Sequence, residues 1–228
     1  TDFSPEELAA YPVLFYPHPV IMTEARAACL ERYVRGGGTL ILGCRSGYKD
    51  PDGHAVTLPQ PGLLQPLTGT DIRDFGFTVP GEESFALWNG EALETPLFHD
   101  ILTPLEGTRI LAAYARGYEA GEAALTERPL GKGRTLHLGS VFTRETVKRL
   151  FAETGILEPL GDRIAAPEGV ELVPRRKGGR RFLFALNYQK EEQTLTLHRP
   201  VLDMETGEMA AGEVLLPAYG TAVFAWEE

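Results

Sequence analysis

The residue whose type and setting most invite chemistry is Cys44, in the run Leu42-Gly43-Cys44-Arg45-Ser46-Gly47. Residues 39–42 (TLIL) ahead of it form a short apolar run of the kind found in strands buried on both faces, and the flanking glycines permit a sharp turn. A cysteine placed there can act as a nucleophile if a base holds it as thiolate, and the base is ordinarily a histidine. Five histidines are available: His18, His54, His99, His137 and His198. Only His137 falls within a strand expected in the same sheet, residues 134–138. It alternates with Leu136 and Leu138 instead of standing at the C-terminal end of that strand, and no acidic residue follows to orient it. The pattern favours Cys44 as a small apolar side chain in a tight turn. Cys29, on an apolar helical face, reads as an inert core thiol.

Other candidates are weaker. Gly131-Lys132-Gly133 lacks the further glycine spacing, the Ser or Thr after the lysine and the helix of a phosphate loop, so it reads as a turn between strands. Arg175, Arg176 and Lys177 with Arg180 and Arg181 straddle Gly178-Gly179, the composition of a solvated hairpin tip. Trp88, Tyr114, Tyr118 and Trp226 could stack on sugar rings, but no spacing singles them out from core or interface aromatics. Thirty-two acidic residues leave many carboxylates, yet no two have a sequence argument for the fixed separation that glycosidic chemistry needs. The expectation is a chain with no catalytic, cofactor-binding or metal-binding residues.

The elements that must position these residues fall into two groups. Residues 13–16 (VLFY) read as a strand buried on both faces. A helix follows, N-capped by Thr23, with Ala25, Cys29, Leu30, Tyr33 and Val34 at helical spacing and a stop at Gly36-Gly37-Gly38. With the 39–42 strand this is a βαβ unit whose strands run parallel. From Tyr48 to Gly107 proline and glycine dominate, and the reading is long irregular structure with short strands such as 85–88 before an Asn89-Gly90 turn. Strands are expected again at 109–114, 123–126 and 134–138, then a helix from about Thr143 to Gly155 bearing Val147, Leu150, Phe151 and Thr154 on one face. Beyond it, short strands at 170–173, 182–186, 194–197, 214–216 and 221–226 suggest a small antiparallel sandwich or barrel that leans on a neighbour. The expected domains are residues 1–160, α/β, and residues 166–228, all β.

With 228 residues, 43% apolar, the chain can bury a full core. No apolar run approaches the roughly 20 residues that cross a bilayer, and TDFSPEEL has neither the basic start nor the apolar stretch of a signal peptide. A formal charge of −10 disfavours phosphate backbones, so neither nucleic acid nor membrane is an expected partner. Two cysteines cannot build a disulfide framework, and the expected compartment is the cytoplasm.

The turn at Cys44 resembles the nucleophile elbow of class I glutamine amidotransferase-like proteins. Residues 11–50 resemble more closely the middle domain of glycoside hydrolase family 42 β-galactosidases. There a tyrosine-led strand ending in proline precedes a helix, a GGTL strand and an R-S-G-x-x-D loop that Arg45, Ser46, Gly47 and Asp50 fit. YARGYEAGEAALT (114–126) and GKGRTLHLGS (131–140) are similar to later strands of that domain. FLFALN (182–187), Thr206-Gly207-Glu208 and Leu216-Pro217-Ala218-Tyr219-Gly220 are similar to the family's small C-terminal domain. The resemblance covers nearly the whole chain. It implies a flavodoxin-like, amidotransferase-like α/β domain that mediates trimer formation, followed by a small β-sandwich. It also implies a parent enzyme that hydrolyses terminal β-D-galactosyl residues with retention, using two glutamates of an N-terminal (β/α)8 barrel. Nothing here resembles that barrel, and residues 1–8 resemble the end of the domain's second strand and the loop after it. A first strand and helix are thus expected to be missing, as in a fragment of a longer polypeptide. Two further readings stay open: a thiol hydrolase built on Cys44, and a carbohydrate-binding module using the β domain.

Overall fold

The computed structural model describes residues 3–79, 81–155, 160 and 163–227. They form two compact units, Thr1–Thr154 and Gly155–Glu228. Residues 156–159, 161 and 162, where the expected domain junction falls, lie outside the described residues.

The first unit opens with α1 (Pro5–Ala9), which replaces the strand end and loop expected there. Its cause is local. Ser4 Oγ accepts from Glu7 N, Glu7 Oε2 accepts from Ser4 N, and Pro5 supplies a preset φ in the first turn. Next come β1 (Val13–Tyr16), α2 (Glu24–Gly36) and β2 (Thr39–Leu42), with β1 and β2 parallel and in register from Val13↔Thr39 to Tyr16↔Leu42. Thr23 Oγ1 accepts from Arg26 N at 3.1 Å, and α2 ends at Gly37, φ 123°. The buried face of α2 is Ala27, Cys29, Leu30, Tyr33 and Val34; Ala25, one turn before Cys29 at the edge of that face, is exposed. All four residues of β1 are half-buried, not enclosed on both faces, since among the described residues β1 pairs only with β2.

The stretch from Tyr48 to Gly107 is not long irregular structure. It holds a 3-10 turn (Gly62–Leu64), α3 (Gln65–Thr68), β3 (Thr70–Phe77), β4 (Phe85–Trp88), β5 (Glu91–Glu94) and β6 (Phe98–Pro104). Its prolines and glycines fall mostly between these elements, where they make turns. With β7 (Arg109–Tyr114), β8 (Ala123–Leu130) and β9 (Gly133–Leu138) a mixed nine-stranded sheet is complete. Its order is β1-β2-β9-β8-β7-β4-β5, and β6 joins β3 to β8. Only β1, β2 and β9 run parallel; from β9 outward every pairing is antiparallel. The helix α4 (Arg144–Thr154) closes the unit with Thr146 and Leu150 buried.

The second unit is one connected antiparallel sheet of β10 (Ile164–Ala165), β11 (Val170–Lys177), β12 (Arg180–Asn187), β13 (Gln193–Asp203), β14 (Met209–Leu216) and β15 (Thr221–Glu227). An irregularity between Leu197 and Val201 lets β13 pair with β10, β14 and β15. Leu183, Leu195, Val201, Leu216 and Phe224 fill its core. Asn187 ties two ends of the sheet together, its Nδ2 donating to Leu216 O at 3.2 Å and Pro217 O at 2.7 Å.

Candidate functional site

Parallel strands deliver their C-terminal ends to one edge of a sheet, and here the ends of β1 and β2 bring His18 against Cys44. His18 Nδ1 lies 3.5 Å from Cys44 Sγ and 3.0 Å from Cys44 O. A carbonyl can only accept, so Nδ1 carries the proton and cannot take one from the thiol. The turn itself also departs from a nucleophile elbow. Its left-handed residue is Arg45, φ 61°, one position past the cysteine, and the next regular element is the 3-10 turn at Gly62, not a helix directly behind. Gly43 is required by packing, because a Cβ there would stand 2.6 Å from both His18 Cε1 and Phe142 Cε2. Ser46 Oγ closes the turn by donating to Gly43 O at 2.6 Å.

Asp100 of β6 is the third member of this cluster and is fully buried. Its Oδ2 accepts from Arg45 N at 2.6 Å and its Oδ1 from Tyr48 OH at 2.5 Å, so it staples the Gly43–Asp50 loop to the sheet. Burial pushes the Asp100 carboxyl up to about 6, against the pull of those two bonds and of Arg45. Burial, reinforced by the Asp100 charge, pushes the Cys44 thiol up to about 12. The same two causes raise the Tyr48 phenol. Burial, with a carboxylate in the place where thiolate chemistry needs a cation, leaves Cys44 protonated and inert.

Whereas it is His18 that meets Cys44 Sγ, His137, the histidine singled out from the sequence, is paired in register with Leu42. Its Nδ1 meets Thr70 Oγ1 at 3.1 Å, and complete burial pushes the ring down to about 4, so it is a neutral core residue. The histidines that do meet reactive partners are His18 and His99, both passed over from sequence. The signal for His18 was present, since it follows β1 directly and parallel neighbours share an edge. His99 had none, because its partner lies 20 positions away.

His99 Nδ1 meets Glu119 Oε1 at 2.8 Å, and its Nε2 meets Thr95 O at 2.6 Å, Thr78 Oγ1 at 3.1 Å and Ser84 Oγ at 3.1 Å. Both partners are buried, beneath an open cavity of about 710 Å³ that Phe77, Ser84, Arg116 and Tyr118 also line. Of the other aromatics considered, Trp88 and Tyr114 are core residues, and Trp226 is half-buried under Arg163. The 131–132 turn joins β8 to β9 and the 178–179 turn joins β11 to β12, as expected of turns between strands. Asp50, Asp52 and His54 place three donor atoms within 4.8 Å of one another. Asp50 Oδ1 already accepts from Asp52 N and His54 N, which accounts for the clustering as a loop closure.

A family model described as the β-galactosidase trimerisation domain matches residues 1–158, and one described as the β-galactosidase C-terminal domain matches residues 169–225. β-Galactosidase LacA of Lactobacillus acidophilus is 29% identical over 215 residues, which cover 92% of this chain and 31% of that protein. β-Galactosidase BgaA of Planococcus sp. 'SOS Orange' is 29% identical over 235 residues, covering 96% and 33%. The crystal structure of a β-galactosidase from Bacillus circulans sp. alkalophilus superposes with a TM-score of 0.83 at 24% identity, over 94% of this chain and 33% of that one. The chain thus spans about a third of the length of the relatives it matches.

Proposed function

We propose that this chain, which belongs to the glycoside hydrolase family 42 β-galactosidases, is the assembly and C-terminal region of such an enzyme and holds no catalytic residue of its own. The observation that carries this reading is the pair of consecutive domain matches that fill the chain while leaving about two thirds of each relative uncovered. The parent hydrolyses terminal β-D-galactosyl residues with retention, and its acid/base and nucleophile stand in a barrel supplied outside these residues. The domains are residues 1–160 and 166–228. The first is a divergent amidotransferase-like domain, a reading supported by the parallel β1-β2-β9 ladder and by Cys44 at the end of β2. Its role is to join three copies around a closed ring, in which one face of each subunit meets a different face of the next. Among the described residues no helix is long and apolar enough to cross a membrane, and the two cysteines are free, which fits the cytoplasm.

The test is direct. A homogeneous preparation of this chain should not turn over a nitrophenyl β-galactoside at any pH, and measurable turnover would sink the assignment. Sedimentation of a polypeptide that joins this region to its barrel should give a trimer, and a monomer persisting well above micromolar concentration would contradict the assembly role.

A further inference from the structure

The open cavity of about 710 Å³ over the His99–Glu119 pair lies within the first unit, and the assembly role makes no use of it. Its volume falls in the range of small-molecule sites, roughly 300–1,000 Å³. The floor is a carboxyl held in a fixed position. Thr95 O can only accept, so His99 Nε2 carries a proton and donates it to that carbonyl at 2.6 Å. A second proton lies between His99 Nδ1 and Glu119 Oε1, 2.8 Å apart, and whichever atom holds it the pair as a whole is neutral. Oε1 is thus committed to His99, while Oε2 stands beneath Gly117. That glycine has a φ of +82°, and a Cβ added to it would come within 2.6 Å of Oε2. Any other residue at 117 would crowd the carboxyl, and both Gly117 and Glu119 line the cavity.

The walls supply the complement. Thr78 Oγ1 and Ser84 Oγ, each 3.1 Å from His99 Nε2, add two hydroxyls to the lining. Arg116, exposed at the mouth, has its guanidinium carbon 5.0 Å from the centre of the Phe85 ring, a contact that holds the group without consuming its N–H donors. Tyr118 donates its OH to Phe75 O at 3.0 Å, which fixes a ring that is 66% exposed. Glu82 and Glu83, also exposed, complete the mouth. An anion would meet their charges and a cation would meet that of Arg116, so the walls favour neither sign over a neutral ligand. A neutral ring bearing adjacent hydroxyls finds an acceptor in Glu119, donors in Arg116 and an aromatic face in Tyr118.

We propose that this cavity binds a pyranose sugar, with adjacent hydroxyls bonded to Glu119 and Arg116 and one face of its ring against Tyr118. The carboxyl is positioned in advance by His99, so binding does not have to order it.

The experiment is an NMR titration of the full chain with D-galactose and with D-glucose, and with inorganic phosphate and methylammonium as charged counterparts. It is read at the backbone amides of Ser84, Gly117 and Glu119. At least one sugar should give saturable shifts there, with a Kd on the order of 1–10 mM, as suits an open site with few contacts. Arg116→Ala and Tyr118→Ala each remove an exposed side chain, so their thermal midpoints should stay close to that of the wild type. Both should bind the sugar at least tenfold more weakly. Failure of either sugar to saturate, or shifts that fall elsewhere on the chain, would overturn the proposal. So would sugar affinity unchanged in both variants, or phosphate or methylammonium binding more tightly than either sugar.

Discussion

His18 and His99 sit in the same unit, each against a group that could make it reactive, and the two pairs differ in what their hydrogen bonds leave free. His18 meets a thiol, but its Nδ1 is committed to the carbonyl of the same cysteine, and burial, reinforced by the Asp100 charge, keeps that thiol protonated. His99 meets a carboxylate, and its second nitrogen is committed to Thr95 O, so the ring bridges β6 to the segment carrying Tyr118. Residue types that make an active site elsewhere are here consumed as fastenings. The first pair fixes little, since His18 is half-buried and Asp100 already holds the loop; the second is buried and holds two segments together.

The largest expected effect separates the pairs. Glu119→Ala leaves His99 Nδ1 buried without its partner and should cost about 2–3 kcal/mol in urea unfolding. His18→Ala removes a half-buried ring with one bond to a carbonyl and should cost less than about 2 kcal/mol. Equal losses would break the comparison, because they would make the Cys44 turn as structural as the His99 bridge.

A pH series sharpens it further. The carboxyl of Asp100 titrates at about 6 in the folded chain against an ordinary 3.8, so the native state holds the proton more tightly than the unfolded one. The stability this contributes is fully present below about pH 3.8 and is lost as pH rises through about 6. Asp100→Asn cannot titrate. Relative to it, the wild type should lose on the order of 2–3 kcal/mol between pH 4 and pH 7. Parallel stability curves for the two proteins would show that Asp100 does not carry the charge balance of the turn.

The same contrast explains what could be read from the sequence. The β1-α2-β2 unit was legible because Thr23 caps, three glycines stop and the apolar runs are continuous. Between Tyr48 and Gly107 the strands were hidden for physical reasons. β3 shifts register between Ile72 and Asp74, so its burial does not alternate, and Phe75 and Phe77 face solvent. β6 buries His99 and Asp100 in mid-strand, which breaks the apolar run a reader looks for, although each is satisfied by a partner distant in sequence. Cys44 was legible as a buried, inert thiol, but the charge that reinforces its burial was not: Asp100 lies 56 positions away, and nothing in the sequence joins it to the turn.

The smallest effect belongs to Cys44 itself. Replacement by alanine trades a buried sulfur for a small void in a turn that Ser46 and Asp100 hold independently, so unfolding should shift by only about 1 kcal/mol. Thiol chemistry tests the same point without a mutation. With the group pushed up to about 12, roughly one molecule in 10⁵ carries a thiolate at pH 7, and the residue is only 2% exposed. A thiol reagent should therefore label the native chain no faster at Cys44 than at Cys29, whose thiol burial also raises. Labelling of both should accelerate together when urea opens the fold. Selective, rapid modification of Cys44 in the native state would mean that His18 takes its proton after all, and the two histidine pairs would then differ in kind and not only in how tightly they are spent.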